Sequence, residues 1–63
     1  MSNKNLAMTL QYEHEDEFDN ISSDVELMKR AQKLAHEEFS ITNEDAIKIG
    51  REVLKLYDEV EER

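Results

Sequence analysis

The stretch ITNEDAIKIGREVLKLYDEV, Ile41 to Val60, admits one secondary structure. At about 100° per residue, Ala46, Ile47, Ile49, Gly50, Val53, Leu54, Leu56, Tyr57 and Val60 fall on one half of a helical cylinder. Lys48, Arg51, Glu52, Lys55, Asp58, Glu59 and Glu62 fall on the other half. An apolar face about 180° wide exceeds the stripe of roughly 100° that packs on a single neighbour, so more than one element must cover it. Gly50 lies inside that arc, where a mid-helix glycine costs about 1 kcal/mol relative to alanine. The cost is explained if a neighbouring helix approaches closely there. Ala46, Ile49, Gly50, Val53 and Tyr57 are therefore the expected self-association residues, with Gly50→Leu disruptive and Gly50→Ala nearly silent.

A second amphipathic helix precedes this one. Ser23-Asp24-Val25-Glu26 has the capping-box form, in which the serine oxygen accepts from the Glu26 N–H and two acids sit at the positive end of the helix dipole. From there to Phe39, the residues Val25, Leu27, Met28, Ala31, Leu34 and Ala35 share one face. Lys29, Arg30, Lys33, His36 and Glu37 share the other. A link of a few residues, with Thr42 or Asn43 as the next N-cap, makes the helices at 23–39 and 42–61 neighbours. Upstream, residues 1–5 read as a frayed polar start. Residues 6–12 alternate Leu6, Met8, Leu10, Tyr12 with Ala7, Thr9, Gln11, the period of a half-buried strand or extended arm. Residues 13–22 read as an acidic linker, which Phe18 and Ile21 tack onto the body. The expected fold is mainly α: an amphipathic two-helix hairpin with an N-terminal extended arm or short strand, completed by dimerisation.

Size and composition sharpen that expectation. A single domain of 63 residues buries only about 60% of its unfolded surface, and this one has no cysteine and no zinc-ligand spacing to compensate. Association with a second copy or a partner is the remaining remedy. Acidic residues outnumber basic ones 16 to 8, for a net charge of −8. That field repels phosphate backbones and anionic lipid, which argues against direct nucleic-acid or membrane binding and towards a basic protein partner. The polar N-terminus and the lack of a long apolar run imply a cytoplasmic protein.

The motifs of catalysis are missing. His14 and His36 share no metal-ligand spacing, Ser22, Ser23 and Ser40 are cap or turn residues, and no glycine-rich phosphate loop occurs. No enzyme activity, cofactor or metal is expected. The leading expectation is a small acidic inhibitor or regulator of phage or plasmid type, a DNA mimic that masks the basic surface of a nucleic-acid-processing protein. Glu13, Glu15, Asp16, Glu17 and Asp19 are its expected contacts, with Asp58, Glu59, Glu61 and Glu62 as a second set. A structural assembly adaptor is one alternative, with binding that survives salt and fails when Val53 or Tyr57 is changed; a DNA-binding transcriptional regulator, on the resemblance given below, is the other.

The order strand, helix, short turn, helix resembles the ribbon-helix-helix family of dimeric DNA-binding proteins. LAMTLQY (Leu6 to Tyr12), the helix after Ser23 and LAHEEFSITNEDAIKIGREVL carry the resemblance. It implies a strand ribbon shared by two chains, Ala7, Thr9 and Gln11 facing the major groove, and Thr42 with Asn43 meeting phosphate at a helix N-terminus. The chain departs from the family pattern in its acidic residues 13–22, its ribbon without lysine or arginine, and its negative net charge.

Overall fold

Local chemistry sets the helix boundaries in the computed structural model, which describes residues 2–61 and side chains as far as Asp58. Helix α1 spans Asn3–Glu13, α2 Glu15–Asp19, α3 Asp24–Phe39 and α4 Asn43–Glu61. Ser2 caps α1, its Oγ accepting from the Asn5 N–H at 3.2 Å. Ser23 Oγ accepts from the Glu26 N–H at 3.4 Å at the start of α3. Thr42 Oγ1 accepts from the Asp45 N–H at 3.2 Å at the start of α4. Each cap pairs one of the N–H groups that the first helical turn leaves without an intrahelical partner.

Residues 6–12, expected as an extended arm or strand, lie inside α1, and no strand occurs among the described residues. The reason is backbone pairing. A lone strand leaves its N–H and C=O groups without partners, whereas a helix closes them locally. Leu, Ala, Met and Gln are good helix formers, and the β-branched Thr9 donates its hydroxyl to the Asn5 carbonyl at 3.0 Å. Helical rather than alternating burial follows: Ala7 and Leu10 are fully buried, while Met8 is 49% and Tyr12 83% exposed. The polar start at residues 1–5 is likewise drawn into the helix from Asn3 onward.

The acidic segment 13–22 also contains helix. His14 leaves helical geometry at φ −114°, ψ 28°, and α2 begins immediately after it. Glu15, Asp16 and Glu17 occupy the first turn of α2, where the helix dipole favours negative charge. Asn20 Nδ2 donates to the Asp16 carbonyl at 3.0 Å and closes the other end. Phe18 anchors the segment. It is buried, with its ring 6.4 Å from that of Tyr57 in an edge-on arrangement and 6.0 Å from that of His14.

α4 is the central element, packed on one side against α3 and on the other against α1. The core consists of Ala7, Leu10 and Phe18 from the N-terminal half, Leu27, Ala31 and Ala35 from α3, and Ala46, Ile49 and Val53 from α4. The wide apolar face of α4 therefore finds its second cover within the chain, on α1. The Cα radius of gyration, 10.5 Å, matches the value of about 10.6 Å that scaling gives a self-contained domain of this length.

Two backbone positions bear strain or close approach. Ser40 ends α3 in the left-handed region at φ 52°, ψ 43°, where a Cβ costs about 1–2 kcal/mol. Gly50 meets α3. A Cβ there would lie 2.6 Å from Gln32 Cγ and 2.9 Å from the Met28 carbonyl oxygen, so even a methyl group has no room. The close approach expected at Gly50 is thus an intrachain one, and the expectation that alanine is silent there is corrected: the clash involves backbone, which cannot rotate away. Gly50→Ala is predicted to lower stability by about 1–2 kcal/mol in urea unfolding, since overpacking outweighs the gain in helix propensity. Ser40→Gly is predicted to raise it by about 0.5–1 kcal/mol, relief of the left-handed strain exceeding the added freedom of the unfolded chain. A stabilised Gly50→Ala or a destabilised Ser40→Gly contradicts these packing and backbone assignments.

Candidate interaction surface

The corner where α1 meets α2 gathers the acidic residues. Between Lys4 and Lys29 the chain has no lysine or arginine and seven carboxylates, at Glu13, Glu15, Asp16, Glu17, Asp19, Asp24 and Glu26. The five expected contacts divide into two groups. Glu13, Glu15 and Asp16 are exposed and form no ion pair among the described residues. Glu17 and Asp19 are engaged by the fold. Glu17 lies 3.2 Å from Arg30 Nη1 on α3 and 3.7 Å from His14 Nδ1. Asp19 Oδ1 accepts from the Tyr57 hydroxyl at 3.3 Å.

His14 and His36 serve as joints. The His14 Nε2 hydrogen-bonds the Glu38 carboxylate, which together with Glu17–Arg30 fastens α2 to α3. His36 Nδ1 donates to the Ile41 carbonyl at 2.7 Å across the α3–α4 turn; a carbonyl only accepts, so the proton sits on Nδ1. Among the described residues, no cluster of three or more His, Asp or Glu side chains could hold a metal ion. No helix there is long and apolar enough to cross a membrane.

Of the expected self-association residues, Ala46, Ile49, Gly50 and Val53 are buried in the chain's own core, and Tyr57 is half-buried. The Tyr57 hydroxyl has its pKa raised above the ordinary value of 10.0. Burial is the first cause, followed by the charge of Asp19 and the hydrogen bond to it; Glu15 adds to the rise, and a hydrogen bond from Gln11 opposes it. Of the further acidic contacts, Asp58 is exposed, whereas the side chains of Glu59 and Glu61, and all of Glu62, lie outside the described residues.

The sequence reading missed the groove beside this corner. Met8 and Tyr12 of α1, Glu15 of α2, Asp19 at its end, and Leu56 and Tyr57 of α4 surround an open space of about 430 Å³. Its one sequence signal is the four-residue spacing of Met8 and Tyr12, which a helix brings to adjacent turns of one face, apart from Leu6 and Leu10. A second groove, between α3 and the start of α4, is bordered by Lys29, Lys33, His36, Glu37 and Ile47, so that lysines and a carboxylate share its lining. Comparison of the chain with known protein families, curated proteins and solved structures gives no match.

The Tyr57 environment makes a signed prediction. Its folded pKa exceeds the unfolded value, so the contribution of the neutral hydroxyl is fully present below pH 10.0 and is lost as pH rises above it, when the unfolded phenol ionises first. In denaturant melts across the alkaline range, the wild-type chain is expected to lose stability relative to Tyr57→Phe as pH passes 10.0. A difference between the two that stays constant through this range would show that Tyr57 is not held by Asp19 and burial.

Proposed function

We propose that this protein is a non-enzymatic interaction module of the cytoplasm that binds a basic surface on a protein partner and masks it, as an inhibitor or regulator of a nucleic-acid-processing protein. The observation that supports this reading is the set of carboxylates Glu13, Glu15 and Asp16 on the α1–α2 corner, exposed and without an ion pair among the described residues. They project from helices that Phe18, the Glu17–Arg30 pair and the Asp19–Tyr57 hydrogen bond hold against the body. Carboxylates in fixed positions meet a basic array with less ordering cost than the same charges on a loose tail. The surrounding charge of −8 speeds encounter with a basic partner and disfavours phosphate backbones. An assembly adaptor is the second reading, favoured by the exposure of Met8 and Tyr12, and its binding would survive high salt.

The test is capture of partners from the source cell, after nuclease digestion, on the wild-type chain and on a Glu13→Gln, Glu15→Gln, Asp16→Asn variant. The masking role predicts a specific basic protein that is retained at low salt, released at high salt and held roughly tenfold more weakly by the variant. Retention unchanged by neutralisation contradicts it, and loss of all specific retention on nuclease treatment points to nucleic acid instead.

A further inference from the structure

The groove between α1, α2 and α4 has two kinds of wall. Its apolar part is made by Met8, Tyr12, Leu56 and Tyr57, and its polar part by Gln11, Glu15 and Asp19. Met8 and Tyr12 are four apart on α1, and Glu15 and Asp19 are four apart on α2, so the border of this one groove passes from apolar to acidic as the chain turns from α1 into α2. Met8 and Tyr12, 49% and 83% exposed, are large side chains left in water beside a concave surface. Scattered exposed apolar residues are ordinary, but here two of them line one groove whose opposite wall, Leu56 and Tyr57, is also partly open. Tyr57 senses the charge of this rim, since Asp19 and Glu15 both disfavour its ionisation.

We infer that this groove binds a basic amphipathic helix of a partner protein, apolar side chains entering between Met8, Tyr12 and Leu56 and lysine or arginine reaching Glu15 and Asp19. The inference rests on the masking role proposed above and specifies how the partner docks. Backbone chemistry selects a helix over an extended peptide. The walls of the groove come from helices and the end of α2, so an incoming strand finds no sheet edge to extend and would bury much of its own backbone unsatisfied. A helix brings a satisfied backbone and offers side chains at the same three- and four-residue spacing. Charge selects a basic partner: the rim is acidic and the whole chain carries −8, which repels a second copy and an acidic helix alike. Methionine at the apolar end suits such a site, because its unbranched thioether adapts to the shape of the inserted side chain.

The probe is a designed amphipathic peptide of leucine and lysine carrying one tryptophan, a residue this chain lacks, so that peptide fluorescence reports binding to the full chain. Its leucine–glutamate counterpart, and a leucine–lysine peptide of equal composition scrambled to break the apolar stripe, serve as comparisons. The amphipathic basic peptide is expected to bind, to shift the Met8 methyl and Tyr12 ring resonances, and to bind roughly tenfold more tightly than either comparison. Met8→Ser with Tyr12→Ser is expected to weaken binding by roughly tenfold while the unfolding midpoint is preserved, both side chains being exposed. Val25→Ser, at an exposed apolar residue of α3 away from the groove, is expected to leave it unchanged. Equal binding of the scrambled or acidic peptide, resonance shifts away from the groove, or full affinity in the double variant each overturns the proposal. So does a free chain that sediments as a dimer with Met8 and Tyr12 buried, which makes a second copy the occupant. Partner capture separates the two proposals. If neutralising Glu13, Glu15 and Asp16 releases the basic partner but Met8→Ser with Tyr12→Ser does not, the groove falls and the masking role stands; if neither change releases it, both fall.

Discussion

The fold depends on covering an apolar half-cylinder on α4 from two sides. One neighbour can occlude only part of such a face, and this chain provides two. On the first side α3 comes close enough that position 50 admits no Cβ. On the second, α1 brings Ala7 and Leu10 into the core, while Phe18 closes the end against Tyr57. Remove the second cover and what remains is a two-helix hairpin with an open apolar side, which a chain of this size has little other core to offset. The helicity of α1 is therefore not a local detail but the condition under which Ile49 and Val53 are fully buried.

That condition also explains which parts of the fold were legible in the sequence. α3 and α4 carry their own caps, at Ser23 and Thr42, and their apolar residues run for several turns at helical spacing; such signals do not need tertiary help. α1 does. Leu6, Met8, Leu10 and Tyr12 satisfy a two-residue period over seven positions, and Leu6 with Leu10 satisfies a helical one equally well. The choice falls to backbone pairing, because no second strand occurs among the described residues, and Leu10 then has α4 to pack on. Helical geometry rotates Met8 and Tyr12 away from that contact, which is why the alternation in sequence did not become an alternation in burial. The acidic run misled in a different way. Five carboxylates without lysine or arginine read as a repelled linker, yet their place at a helix start, the Glu17–Arg30 pair and the buried Phe18 ring hold residues 15–19 in helix.

The candidate site was legible in its charge and not in its shape. All five expected carboxylates cluster near the α1–α2 corner, but only the folded chain distinguishes Glu17 and Asp19, which hold the corner together, from Glu13, Glu15 and Asp16, which face solvent. Of the residues expected to join two copies, Ala46, Ile49, Gly50 and Val53 are buried in the core of the single chain. The apolar groove had no legible signal while residues 6–12 were read as extended, because Met8 and Tyr12 then shared a face with Leu6 and Leu10. Function on this reading comes from what the core leaves over: one acidic rim and one short apolar wall, placed side by side where α1 gives way to α2.

The packing of α1 on α4 is tested most directly by the backbone carbon chemical shifts of Leu6 through Tyr12 in the free protein, read together with amide exchange at Leu10. The structure predicts helical shifts throughout and a Leu10 amide protected to nearly the level of Ile49, because both residues belong to one core. Extended shifts, or a Leu10 amide exchanging as fast as an unfolded chain while α3 and α4 remain protected, would contradict it.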